Sequence, residues 1–184
     1  MTRSSSVLSL SLVILMAALT RLLPHWPNFT PVMAMALIGG LYASSKRVAM
    51  ALPILVMVIS DVLLGFTFGW AYTFHDTQIW VYLSMLAITG LGMLLSTKKN
   101  YSAILIGGTV SGVLFFVVTN AAVWFTGSMY PHTFDGLLAS YAAGLAFYRD
   151  GGNYLLNGIV STWLYGAIML ALLQVAQHRR EQLA

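Results

Sequence analysis

Cysteine is absent from the 184 residues, and Asp, Glu, Lys and Arg together make up only 8% of them. Without a thiol there is no disulfide framework, no thiolate nucleophile and no cysteine-built metal centre. A soluble domain carries roughly a quarter charged residues, so water is not the main solvent of this chain. Acids are scarcest: Asp61, Asp76, Asp135, Asp150 and Glu181 are the whole set. They form no paired-carboxylate arrangement, and no GxSxG, Walker A or GxGxxG pattern accompanies them, so the sequence does not read as an enzyme. The nine Lys and Arg stand in ones and twos rather than in a stripe, which argues against a nucleic-acid partner despite the net charge of +4.

What the chain has in abundance is apolar sequence, 59% of its residues. Apolar runs cover 7–23, 31–43, 48–66, 79–96, 102–126 and 154–176, and crossing a bilayer takes roughly 20 such residues. The expected fold is therefore an all-α integral membrane protein, a single domain over 1–184 with six transmembrane helices. The second run is short, which predicts a tilted or partly re-entrant helix packed against the others. The first run ends at Leu23-Pro24 without a small-residue cleavage site, so it is read as an uncleaved span rather than a signal peptide.

Basic residues fix an orientation. With both termini cytoplasmic, Arg3, Lys46, Arg47, Lys98, Lys99, Arg179 and Arg180 lie inside and only Arg21 and Arg149 outside, as the positive-inside rule demands. The inner turns are then tiny and basic. The outer connections 24–30, 67–78 and 127–153 are longer and rich in aromatic, His, Asn and Pro residues, where binding groups tend to gather on a rigid scaffold. Within the last of them, 134–147 is apolar but too short to span and is expected to form a short, non-spanning helix.

Several side chains stand out. Asp61 lies inside the third run, where an ionised carboxylate requires a partner. Arg21, at a similar depth, is that partner in the structural reading, and direct substrate contact is the functional one. Asn120 and Trp124 are four apart and share a helix face. Helix-to-helix bonding and interfacial anchoring compete there with ligand contact. Gly108 and Gly112 have small-xxx-small spacing and point to close helix packing. His25, His75 and His132 occupy the three outer connections. They lack the local spacing of a zinc site, and one of them as axial ligand to a metal already held in a bound molecule is the simpler arrangement. His75, beside Asp76, is the best placed.

Arg21-x-x-Pro24-His25-x-Pro27-Asn28-Phe29-x-Pro31, Ser60-Asp61-x-x-Leu64-Gly65-Phe66, Trp80-Val81-Tyr82-Leu83-Ser84 and Thr119-Asn120-x-x-x-Trp124 with Tyr130-Pro131-His132-Thr133 together resemble a family of small bacterial membrane proteins marked by PHPPN and NxxxW motifs. That family is similar to the substrate-binding S components of energy-coupling factor transporters, in particular BtuM-like solitary cobalamin transporters. The resemblance covers residues 21 to about 166. It implies a protein of the bacterial cytoplasmic membrane, surrounded by lipid, that captures a vitamin, cobalamin first, in an outer cavity. It would act with energy-coupling transmembrane and ATPase subunits or with none, and it would hold no resident cofactor. Asn28, Tyr82, Asn120 and His132 would supply polar contacts, Trp124 and Tyr141 stacking surfaces, and His75 the axial contact to cobalt. BtuM-like proteins use a cysteine for that contact. Here His75 replaces it, or the ligand binds without axial coordination, or the substrate differs. The first run also lacks the AxxxA docking pattern of many S components, and Asn157-Gly158 stands where a Gly-Asp is common. The rival expectations are a membrane enzyme that modifies a bound cofactor and an accessory subunit that binds no small molecule.

Overall fold

The computed structural model describes residues 19–42, 45–98, 100–146 and 152–182, and their regular structure is entirely helical. In chain order the helices are α1 (Val32–Tyr42), α2 (Lys46–Phe68), the single turn α3 (Trp70–Thr73), α4 (Gln78–Leu94), α5 (Tyr101–Thr126), α6 (Phe134–Leu145) and α7 (Tyr154–Gln182). Three are long and apolar enough to cross a membrane: α2, α5 and the Tyr154–Val175 part of α7. Helices α1 and α4, with 11 and 17 residues, are apolar but shorter. The expected first span lies outside the described residues up to position 18. Six crossings are thus not reached among the described residues; three helices have the length.

Polar caps set the helix starts. Ser45 Oγ accepts from the Val48 amide at 3.5 Å, Asn100 Oδ1 from Ala103 at 3.0 Å and Thr133 Oγ1 from Gly136 at 3.2 Å, each satisfying one of the free amides of a first turn. Helix α2 stops where Gly69 takes φ +95° and its amide bonds back to the Gly65 carbonyl at 3.0 Å. The short α6 follows 134–147 closely and is capped rather than continued.

Helix α1 is the centre of the bundle. Nine of its 11 residues are buried, and it packs against α2, α4, α5 and α7. A helix apolar on all sides belongs inside. Its crossing with α4 is backbone on backbone: a Cβ added at Gly40 would lie 2.8 Å from the Gly92 Cα. Glycine also seats α7 on α5, since a Cβ at Gly112 would come 2.9 Å from the Ile159 amide nitrogen. Along the outside of α7, Leu156, Val160, Leu164, Ile168, Leu172 and Val175 are all exposed, spaced four or three apart so that they form one face. An apolar stripe of that length suits hydrocarbon rather than water.

The unequal lengths of α1 and α2 shape the interior. Eleven residues rise about 16 Å and 23 residues about 35 Å. The two run antiparallel, since Gly39 near the end of α1 meets Ala49 near the start of α2, a Cβ there lying 3.9 Å from the Ala49 carbonyl oxygen, while Val32 at the start of α1 lines the same space as Met57. Helix α1 therefore reaches only half-way up α2, and a hollow remains above Val32.

Candidate functional site

That hollow is a cavity of about 350 Å³. Residues from five helices line it: Val32 and Met33 of α1, Met57, Asp61 and Leu64 of α2, Thr73 of α3, Val81 and Met85 of α4, and Phe115 of α5. Met57 is the twelfth of the 23 residues of α2, so the floor lies at mid-helix. The rim carries the polar groups Arg21, His25, Asn28, Thr30, Thr73, His75 and Gln78. The result is an apolar, methionine-rich lower part beneath a polar mouth. Thioether side chains adapt to varied shapes.

A network centred on Asp61 forms one wall. Asp61 is 1% exposed, a position in which a carboxylate must be fully paired. Arg21 Nη1 lies 2.7 Å from its Oδ1. Tyr82 Oη donates to Oδ2 at 2.6 Å, and Gln78 Nε2 donates to the same oxygen. Arg21 Nη1 also donates to Ser60 Oγ and approaches the Met57 carbonyl at 3.5 Å. Gln78 and Tyr82 are four apart on α4 and so present one face to Asp61. The network ties the segment before α1, helix α2 and helix α4 together at the mouth.

The residues expected to bind a ligand divide into two groups. Asn28 and His75 line the cavity, and Tyr82 stands behind it on Asp61. Asn28 has φ +63°, a left-handed conformation that asparagine tolerates. Its amide nitrogen donates to the Tyr154 carbonyl at 3.3 Å, and its own carbonyl accepts from Ser161 Oγ at 3.1 Å. Asn157 Nδ2 donates to the Pro27 carbonyl at 3.0 Å. Residues 27–28 are thereby fastened to the start of α7, which gives Asn157 a structural task.

Asn120, Trp124, His132 and Tyr141 do not line this cavity. They bind α6 and its leading loop to α5. Trp124 Nε1 donates to the Pro131 carbonyl at 2.9 Å, Tyr141 Oη to the Val117 carbonyl at 3.2 Å, and Ser140 Oγ to the Asn120 main-chain carbonyl at 2.8 Å, while Asn120 Nδ2 bonds within α5 to the Phe116 carbonyl at 2.8 Å. The His132 ring meets Trp124 edge to face at 5.8 Å and its Nε2 donates to the Gly127 carbonyl at 3.1 Å. Trp124 also lines a separate, wholly apolar groove of about 330 Å³ with Trp80, Val117 and Phe125. Trp124→Phe and Tyr141→Phe should each lower unfolding stability by about 1 kcal/mol, the net worth of one hydrogen bond. Denaturant titration in detergent measures this, and unchanged stability in both variants would contradict the structural assignment.

The three histidines of the loops are likewise separated. His25 and His75 share the cavity, whereas His132 lies against Trp124. Among the described residues no group of three His, Asp or Glu could hold a metal ion. His25 Nδ1 donates to the Trp26 carbonyl at 2.8 Å, and His75 Nδ1 shares a hydrogen bond with Thr77 Oγ1 at 2.7 Å. Among the described residues neither ring has a partner at Nε2; in neutral His25 that atom is an acceptor, and in His75 it accepts or donates according to which way the bond to Thr77 runs. Ser60 entered only as part of the Ser60-Asp61-x-x-Leu64-Gly65-Phe66 motif; Gln78, Thr30 and Thr73 were not singled out by sequence. Only Gln78 carried a signal, its i,i+4 relation to Tyr82.

Fold and site together define a class: an all-helical protein with helices of membrane-spanning length, enclosing a half-depth polar-mouthed cavity walled by an ion-pair network. Within that class the chain belongs to DUF6580, a family of unknown function whose model matches residues 1–183. Neither a curated protein nor a solved structure matches it.

Proposed function

We propose that this protein captures a small molecule of vitamin size at the outer face of a bacterial cytoplasmic membrane and serves its uptake, in the manner of an S component. One observation carries the reading: the half-length α1 leaves a cavity that is polar at its mouth, apolar at its floor and reaches mid-helix. Membrane transporters commonly place substrate sites at that depth, beside discontinuous or shortened helices. In this reading α1, α4 and the segment before Arg21 complete a six-segment body with both termini cytoplasmic. The basic ends Lys46, Arg47 and Lys98 then face inward and His25, His75 and Arg21 outward.

The volume bears on the ligand. Cavities of about 300–1,000 Å³ suit drug-sized molecules, and 350 Å³ is at the small end. A whole corrinoid, with its substituted macrocycle and nucleotide loop, exceeds it, so cobalamin would require the segment bearing His25 to move outward before His75 could reach cobalt. A smaller vitamin fits the cavity as it stands. The purified protein, equilibrated with a vitamin panel that includes hydroxocobalamin and then freed of unbound ligand, tests this. Retention of a small vitamin, lost in Met57→Trp with its filled floor, is the expected result. Retained corrinoid with a spectral shift abolished by His75→Ala would restore cobalamin as the ligand, and no retention of any vitamin would contradict the capture reading. For a binder, exchange of labelled ligand into partner-free proteoliposomes then distinguishes a solitary transporter from one that requires energy-coupling subunits.

A further inference from the structure

Taking the cavity as a capture site, we infer that its ligand is an amphipathic monocarboxylate, whose carboxylate is bound by the free edge of Arg21. Among the described residues, Arg21 and Asp61 are the only Arg, Lys, Asp or Glu that line the cavity. They are not equally engaged. Asp61 receives hydrogen bonds on both oxygens, from Arg21 on Oδ1 and from Tyr82 and Gln78 on Oδ2. Arg21 spends only Nη1 on protein partners, namely Asp61, Ser60 and Met57. Its Nε and Nη2 have no partner among the described residues, although the side chain is 18% exposed.

A guanidinium offers donors along more than one edge and can serve two carboxylates at once, which an ammonium cannot do with the same geometry. The acid is buried and bonded on both oxygens, whereas the base is half free. A cation arriving as ligand would meet no available acceptor of full charge, whereas an anion would find charge-assisted donors already oriented by the Asp61 network. Tyr82 and Gln78 reinforce this by satisfying Asp61 without drawing further on Arg21. Below the charge, Met33, Met57, Val81 and Met85 give the remainder of the ligand an apolar bed. The Nε2 atoms of His25 and His75 are placed at the rim to bond a polar group beside the carboxylate. A headgroup with one carboxylate and a compact apolar or heterocyclic body matches all three regions.

Matched acid and amide pairs test the inference on the wild-type protein: nicotinate against nicotinamide, biotin against biotinamide, and lipoate against lipoamide, each titrated calorimetrically in detergent or nanodiscs. At least one acid should bind tenfold or more tightly than its amide, since charged hydrogen bonds differ from neutral ones by about that factor. Arg21→Lys keeps the charge opposite Asp61 but loses the second edge, and should reduce the acid-to-amide ratio below about threefold. Acids and amides binding equally, or amides binding better, would overturn the carboxylate inference and leave the capture site standing. Binding of no member of any pair would likewise overturn the carboxylate inference, and the vitamin panel above then decides separately whether the capture site stands. The acid-to-amide ratio of the wild type decides the matter even where Arg21→Lys fails to fold.

Discussion

Asp61→Leu should destabilise the protein by about 3–5 kcal/mol, while adding Arg21→Met to it should recover a substantial part of the loss. Asp61 is 1% exposed and Arg21 18% exposed in its side chain. Removing the acid strands a largely buried guanidinium and leaves Tyr82 and Gln78 without their shared acceptor, 2.6 Å from Tyr82. The cost arises from the unpaired groups more than from the lost attraction, because ion pairs replaced entirely by apolar residues are often neutral in stability. The single variant Arg21→Met should be nearly as damaging, since it leaves the buried Asp61 carboxyl group with only two neutral partners, Tyr82 and Gln78. A double-mutant cycle read by denaturant titration in detergent should give a coupling energy above about 3 kcal/mol, because the double variant is expected to cost less than either single one. Coupling near zero would show that the pair does not tie the bundle mouth together.

Gly92→Leu should prevent accumulation of folded protein, and Gly92→Ala should cost about 1–3 kcal/mol or more. At this crossing the atoms in the way are main chain. A Cβ on Gly92 would run into the Leu37 carbonyl oxygen and lie 3.1 Å from its carbon, and the reciprocal Cβ on Gly40 would lie 2.8 Å from the Met93 amide nitrogen. No rotamer change relieves such a contact; the helices must separate. Because α1 is the buried centre, separation from α4 would disturb the cavity floor formed by Met33 and Met85. Gly90, on the same helix with open space around its Cβ position, is the control: Gly90→Ala should be tolerated or slightly stabilising, since alanine is the better helix former. Equal stability of the Gly90 and Gly92 alanine variants would contradict the close crossing.

Hydrophobic runs disclosed the helices because the apolar requirement of a membrane helix is so strong. The run 31–43 became Val32–Tyr42 and the run 102–126 became Tyr101–Thr126. What the runs did not disclose was that the helix of the shortest run occupies the middle. That follows from backbone approach at Gly40 and Gly92, two glycines distant in sequence whose pairing no local pattern announces. The same limit explains Asn120 and Trp124. Their four-residue spacing placed them on one face of α5, yet spacing does not say which neighbour that face meets, and the neighbour is α6 rather than the cavity. Depth was more informative for Arg21 and Asp61, since a lone acid inside an apolar run requires a base at the same level. Gln78 escaped notice because an amide at a helix start carries no such demand.

The complete absence of cysteine makes single thiols clean reporters, and the central claim is that the cavity opens outward and reaches mid-bundle. Val81 lines the cavity while Leu83, two residues on, is 46% exposed on the apolar outside of α4. In intact cells, Val81→Cys should react with a membrane-impermeant thiosulfonate reagent, Leu83→Cys in the lipid should not, and Lys46→Cys should react only after permeabilisation. Labelling of Val81→Cys solely from the cytoplasmic side, or equal silence at Val81 and Leu83, would contradict an outward-opening capture cavity.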